Sequence, residues 1–252
     1  MNKVVRGGPT FLATVSQTNQ IKENKMNIKI KADIFAAASL FRGINDVRYY
    51  LNGLYLETGK SGARLVGCDG HQLAVAKIEG EFPVSSIIIP GSLVAAVKSK
   101  AKSPQFVTLD FAKGNKQYKD QGNVKGMFVP RDITLSYGET TTTAKELDGK
   151  YPDYRRVVPD KTDGTVAQYD PRFVNRIDKA CSILGHKLFA GIAHNGDKSG
   201  LSVIDEGFVV VTMSIRIDPK KESPAWVNEL TQMARKSAVQ TKLTNKLAGE
   251  AA

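Results

Sequence analysis

Residues 46–77 read DVRYYLNGLYLETGKSGARLVGCDGHQLAVAK, and residues 151–159 read YPDYRRVVP. Val47 to Glu57 is rich in Tyr and Leu, Ala63 to Cys68 is a short apolar run, and Gln72 to Ile78 alternates before Gly80. Runs of this kind, bounded by glycine-bearing turns, predict three consecutive strands. Asp69-Gly70-His71 predicts a tight connection in which Gly70 supplies the positive φ that other residues resist. By itself this pattern specifies a hairpin and no activity.

Working outward, residues 1–25 are rich in Gly, Thr, Gln, Asn and Lys and have little periodicity, which predicts a disordered basic leader. Two readings of it stand: translation from an upstream start with Met26 as the true first residue, or a basic arm for DNA. A domain over 26–147 begins with the alternating strand Asn27–Lys31. Ile34, Ala37, Ala38 and Phe41 are at helical spacing, with Asp33 as N-cap. Ile87–Ile89 predicts a buried strand that stops at Pro90, and Leu93 to Lys100 a second helix with Leu93, Val94 and Val97 inward. Phe106–Phe111, Gly126–Val129, Ile133–Ser136 and Thr140–Glu146 predict further strands. The unit of strand, helix and strands therefore occurs twice, an α+β architecture.

Residues 148–163 hold prolines and little apolar content, as an extended linker does. Over 164–252 the half-unit starts again. Thr165–Gln168 predicts a strand, and Pro171–Leu184 a helix opened by Asp170 as cap with Pro171 in its first turn. Strands are predicted at Leu188–Ala193, Leu201–Ile204 and Phe208–Ile217. A helix over Pro224–Val239, with Trp226, Leu230 and Met233 at helical spacing, and a Lys-rich tail follow instead of more strands, so this second domain is shortened or reorganised.

The chain has 252 residues, of which 41% are hydrophobic, and a formal charge of +11. That length suits one large or two moderate domains. No apolar run approaches the ~20 residues that cross a bilayer, and no secretory core precedes a cleavage site, so the expected location is the cytoplasm, without membrane contact. Cys68 and Cys181 sit in apolar surroundings and read as free thiols. The positive charge points to an anionic partner, nucleic acid first. Cys68 and His71 have a spacing seen in metal sites, but no second pair completes a tetrahedral set, and His186 and His194 lack an i, i+4 partner. There is no phosphate-cradling Gly-Lys loop, nucleophile elbow or repeated carboxylate pair. The expectation is a protein that is not an enzyme and needs no metal or cofactor.

VRYYLNG, DGHQLAV and PDYRR, in that order and spacing, resemble the bacterial sliding clamp, the beta subunit of DNA polymerase III, most closely its middle domain plus the start of its last. The resemblance implies the DNA-clamp fold and a processivity factor that binds duplex DNA without reading sequence. It also implies a pocket that takes apolar anchors from a polymerase or another client. Matched by motif, that pocket comprises Leu51, Gly70, His71, Leu73, Pro152, Arg156 and Val157, with Arg48 at its rim. Cys68 stands where the family commonly has threonine and Gln72 where it commonly has arginine. The family's C-terminal wall has no counterpart in the sequence, so the pocket is expected to be half built. Helices lining the family's central hole touch phosphates. The basic residues that correspond in character are Arg172, Arg176 and Lys179, recurring on one side of the helix at 171–184, and Lys98, Lys100 and Lys102. Lys113, Lys116, Lys119 and Lys125 read as solubilising loop residues. The partners implied are duplex DNA, clients, a clamp loader and further copies of the chain, as a trimer if two-domain protomers close a ring of six. The alternative is a homologue that forms no ring and serves as regulator, adaptor or decoy for a host clamp; a third reading is a non-specific DNA-binding protein.

Overall fold

A computed structural model describes residues 25–97, 105–114, 116–121, 124–217, 224–230 and 232–233. The chain divides into two compact units, Met1–Ile215 and Arg216–Ala252. In the first, strand β1 (Lys25–Lys31) leads into helix α1 (Ala32–Ser39). A 3-10 turn at Tyr49–Asn52 then precedes β2 (Leu54–Gly59), β3 (Gly62–Cys68), β4 (Gln72–Ile78) and β5 (Ser85–Ile89). The short helix α2 (Gly91–Val94) follows, then β6 (Phe106–Ala112), β7 (Gln117–Gln121), β8 (Val124–Val129), β9 (Asp132–Tyr137) and β10 (Thr140–Lys145). A 3-10 turn at Tyr154–Val157, helix α3 (Pro171–Ile183), β11 (Gly200–Asp205) and β12 (Phe208–Thr212) complete it.

All pairings among these strands are antiparallel. A four-stranded sheet has the order β1-β6-β9-β10, a six-stranded sheet the order β11-β12-β4-β3-β2-β5, and β7 pairs with β8 alone. The six-stranded sheet is covered on both faces because its strands are apolar at odd and even positions alike. Leu54 and Leu56 of β2, Leu65 of β3, Ala74 and Ala76 of β4, and Phe208 and Val210 of β12 join the main core, with α1 and α3. Their alternates Tyr55, Val66, Leu73, Val75, Ile88 and Val211 build a second cluster on the opposite face, closed by Tyr151, Tyr154 and Val158. The linker is therefore a strap packed across the outer face of the sheet.

Helix α1 comes close enough to the sheet that a Cβ on Gly67 would lie 2.4 Å from the Ala38 carbonyl oxygen. Only glycine allows this approach. The outer face of the four-stranded sheet is polar instead. There Asn27 Nδ2 donates to Asp110 Oδ1 at 2.7 Å, and the hydroxyls of Thr134 and Thr143 lie 3.1 Å apart.

Several sequence expectations change. Val47 to Asn52 is not strand: Val47 is 94% exposed, and the chain turns in a 3-10 bend before β2 begins at Leu54. The tyrosines and leucines there serve a bend whose Leu51 alone is buried, so strand propensity gave way to tertiary packing. Asp33 does not cap α1, whose cap position is Lys31; Asp33 Oδ1 instead accepts from the adjacent Ile34 N–H at 2.7 Å. Thr165–Gln168 and Leu188–Ala193 form no strands, only the single bridges Gln168–Ile215 and Ala193–Leu201. The helix beginning at Gly91 is shorter than expected, and its predicted end lies outside the described residues. Lys116 is no loose solubilising charge, because its Nζ donates to the carbonyls of Leu147 at 2.9 Å and Gly149 at 2.6 Å.

In the second unit, residues 225–230 are helical, and Trp226, Leu230 and Met233 are exposed. Among the described residues no helix is long and apolar enough to cross a membrane.

Candidate partner-peptide site

The turn from β3 to β4 organises the site. Gly70 has φ of 89°, and a Cβ there would lie 2.6 Å from a guanidinium nitrogen of Arg48. Any side chain would meet both backbone strain and a collision. Asp69 closes the turn with its carboxylate: Oδ1 accepts from the N–H groups of His71 at 2.8 Å and Gln72 at 2.7 Å. Arg48 lies over this turn, donating from Nη2 to the Asp69 carbonyl at 3.1 Å and to Asp46 Oδ2 at 2.7 Å. Hydrogen bonds from Arg48 hold the Asp46 carboxyl down to about 2.

Beside the turn lies a cavity of about 620 Å³, and all ten residues assigned to a pocket from sequence line it. Leu51 from the 3-10 bend and Leu73 from β4 are both buried in the outer cluster. Cys68 closes β3, and burial pushes its thiol up. Gly70, His71 and Gln72 form one rim, Arg48 stands beside them, and Pro152, Arg156 and Val157 come from the strap. Gln72 is almost wholly buried, where its Nε2 donates to the Phe173 carbonyl at 3.2 Å and to Thr212 Oγ1 at 3.0 Å. Because a carbonyl can only accept, the amide orientation of Gln72 is set.

Residues from elsewhere in the chain also line the cavity. Asn195, Asp197, Lys198 and Ser199 line one side, and Val211, Met213 and Ser214 another. They arrive through pairing distant in sequence: Val211 lies opposite Leu73, the Met213 N–H donates to the His71 carbonyl at 2.9 Å, and Ser199 Oγ donates to the Val157 carbonyl at 2.9 Å. Nothing local marks Val211 or Met213, since strand pairing between residues as far apart as Leu73 and Val211 leaves no short-range pattern. Tyr151 and Tyr154 were also missed, although they lie within the quoted motif. Tyr154 Oη donates to Glu57 Oε1 at 2.5 Å, Arg155 pairs with the same carboxylate, and desolvation followed by that hydrogen bond raises the Tyr154 phenol.

The basic residues are placed less uniformly than their spacing suggested. Helix α3 is capped as expected, with the Asp170 carboxylate accepting from the Arg172 N–H at 2.8 Å and Pro171 in the first turn. The Arg172 side chain turns back onto that cap, and its hydrogen bonds bring the Asp170 carboxyl down to about 2. Arg176 does not project freely; it pairs with Asp69 Oδ2 at the cavity turn and lies over the Phe173 ring. Lys179 is exposed. Lys98, Lys100 and Lys102 lie outside the described residues.

An apolar cavity bounded by an open turn and an extended strap suits an unfolded segment that inserts large apolar side chains. Residues 20–153 match the family described as DNA polymerase III beta subunit, central domain. The beta sliding clamp of Pseudomonas aeruginosa is 30% identical over 175 residues, covering 68% of this chain and 42% of that protein. That of Salmonella typhimurium is 35% identical over 120 residues, covering 47% and 28%. The chain thus spans less than half the length of the curated relatives it matches. Among solved structures, the Caulobacter crescentus beta sliding clamp superposes with a TM-score of 0.51 at 20% identity, covering 76% of this chain and 66% of that one. The sliding clamp of Bartonella birtlesii, bound to griselimycin, gives 0.51 at 16% identity with the same coverage.

Proposed function

Since the chain belongs to the sliding-clamp family of DNA polymerase III beta subunits, we propose that it is a clamp-like processivity factor that holds client proteins through the cavity beside the Asp69–Gln72 turn. The observation that carries this reading is the convergence of ten motif residues from three separated stretches on one apolar cavity. A client segment lies extended between the turn and the strap, and its apolar side chains fill the space over Leu51, Leu73 and Val211. Each large aliphatic or aromatic anchor so buried contributes about 2 kcal/mol. His71 and Arg156 at the edges offer donors to the backbone of that segment.

Duplex DNA is the proposed track. The excess of cations and the exposed ends of Arg172 and Lys179 on α3 support loose phosphate contact without sequence readout. Tethering a client there turns repeated encounters with a primer end into an intramolecular event and breaks no bond itself. Further copies of the chain, loaded around the duplex, would supply closure.

Fluorescence anisotropy with a labelled peptide bearing a Leu-Phe pair tests the cavity, and retention on a nicked circular duplex, lost on linearisation, tests the track. Failure of the peptide to bind, or binding undisturbed by Val157→Asp, would remove the client-holding role. Salt titration of duplex binding should give a slope of about −0.9 per phosphate neutralised.

A further inference from the structure

The contacts around Asp69 join the cavity to helix α3. One carboxylate oxygen holds the turn through the N–H groups of His71 and Gln72, and the other accepts from Arg176 Nη1. Two parallel links support this one. Gln72 Nε2 donates to the Phe173 carbonyl, and the His71 ring stacks on the Phe173 ring with centroids 5.8 Å apart. The Arg176 guanidinium lies over that same ring at 5.8 Å. His71 and Gln72 line the cavity, while Arg176 shares its helix face with Arg172 and Lys179. The Arg176 side chain keeps 28% of its exposure, so an anion arriving on that face can reach it. A guanidinium holds carboxylate and phosphate with the same fork of donors and cannot serve both fully.

We propose that Arg176 is a positioning residue of the cavity, and that a nucleic-acid phosphate bound on α3 draws it away from Asp69, so that duplex DNA and a client segment bind antagonistically. This rests on the reading of the cavity as a peptide site and of α3 as the side that meets DNA. With Arg176 on Asp69, the turn has its full set of hydrogen bonds and presents His71 to the client. With Arg176 on phosphate, Asp69 keeps only its backbone donors, and the turn is less well held. Linkage makes the effect reciprocal: a client in the cavity weakens duplex binding by the same factor.

The full chain is titrated with the labelled Leu-Phe peptide, with and without a saturating short duplex at constant ionic strength. The duplex is expected to weaken peptide binding about 10-fold. Arg176→Gln should show the weakened affinity without duplex and no further response to it, and Arg176→Lys, which keeps the charge and loses the fork, should fall between. In wild-type protein the amide resonances of His71 and Gln72 should shift on adding duplex alone, a readout that survives if a variant fails to fold. Equal peptide affinity in wild type and Arg176→Gln, or a duplex effect undiminished in that variant, would overturn the proposal. Peptide or duplex that fails to bind wild-type protein at all would instead bring down the underlying reading, and this inference with it.

Discussion

Tyr55 and Tyr151 stack face to face, with ring centroids 4.7 Å apart and planes 8° from parallel. The first stands on the outer face of β2 and the second on the strap, and Tyr154 meets Tyr55 edge-on at 6.5 Å. This contact fixes the strap whose next residues, Pro152, Arg156 and Val157, border the cavity. Offset aromatic pairs contribute about 0.5–1.5 kcal/mol beyond the area they bury.

Among the described residues the Tyr151 hydroxyl is buried without a hydrogen-bond partner, and burial lifts its pKa well above the ordinary value. Tyr151→Phe keeps the stack and removes the orphan group. It should stabilise the protein by about 1 kcal/mol and raise Tm by about 2–4 °C in a thermal melt. Tyr151→Ala should cost about 3 kcal/mol or more by opening a cavity.

Val157 and Met213 both line the cavity while remaining 51% and 53% exposed. Val157→Asp or Met213→Asp should reduce peptide affinity at least 10-fold with stability changed by no more than about 0.5 kcal/mol. Leu51→Asp and Leu73→Asp are poorer probes. Both side chains belong to the outer core, and a carboxylate there should unfold the sheet face, seen as loss of cooperative melting.

Arg131 and Glu146 form an ion pair buried beneath β5, with Arg131 also donating to the carbonyls of Ser86, Gly114 and Ala112. Arg131→Met takes the guanidinium from the Glu146 carboxylate and from those carbonyls, of which Gly114 keeps the Ser85 hydroxyl as donor. It should cost about 3–5 kcal/mol in urea denaturation. Glu146→Gln keeps an acceptor for the guanidinium and should cost less.

Asp46 and Asp170 both have folded-state pKa values depressed from 3.8 to about 2, chiefly by side-chain hydrogen bonds from Arg48 and Arg172. A depressed acid stabilises the fold above its unfolded pKa, and the contribution is lost as pH falls through the folded one. The window is therefore about pH 4 down to about pH 2. Carbon-13 carboxyl titration should place both midpoints near 2, and Arg48→Ala should return Asp46 toward 3.8.

How far the chain could be read beforehand differs between elements. The hairpin of β3 and β4 with Gly70 at its turn was legible because a positive φ and two apolar runs are local facts. So was α3, where the cap and the proline together mark its first turn. The bend at Tyr49–Asn52 was not, because a Tyr- and Leu-rich run suits a strand or a packed turn equally until its neighbours are known. Residues 188–193 misled in the same way: they are a continuous apolar run, but Leu188 remains exposed and only one bridge forms.

The ten motif residues of the cavity were also readable, since a resemblance carries positions that local physics cannot. Arg176 shows the limit. Its spacing from Arg172 and Lys179 defines a helix face correctly, but spacing cannot say that an acid on a turn 107 residues earlier lies within reach.

By itself the amino-acid sequence determined which segments alternate, where glycine must turn the chain, how α3 begins, and to which family the hairpin and the strap belong. The first three follow from stereochemistry and hydrophobic period over a few residues, and the family from the resemblance of its motifs. Only the tertiary structure decided that β12 adds to β4, that residues 195–199 and 211–214 supply the cavity's second wall, and that Asp69 claims Arg176. Each of those depends on segments far apart in the chain being brought together, at an entropic cost that only the assembled core offsets.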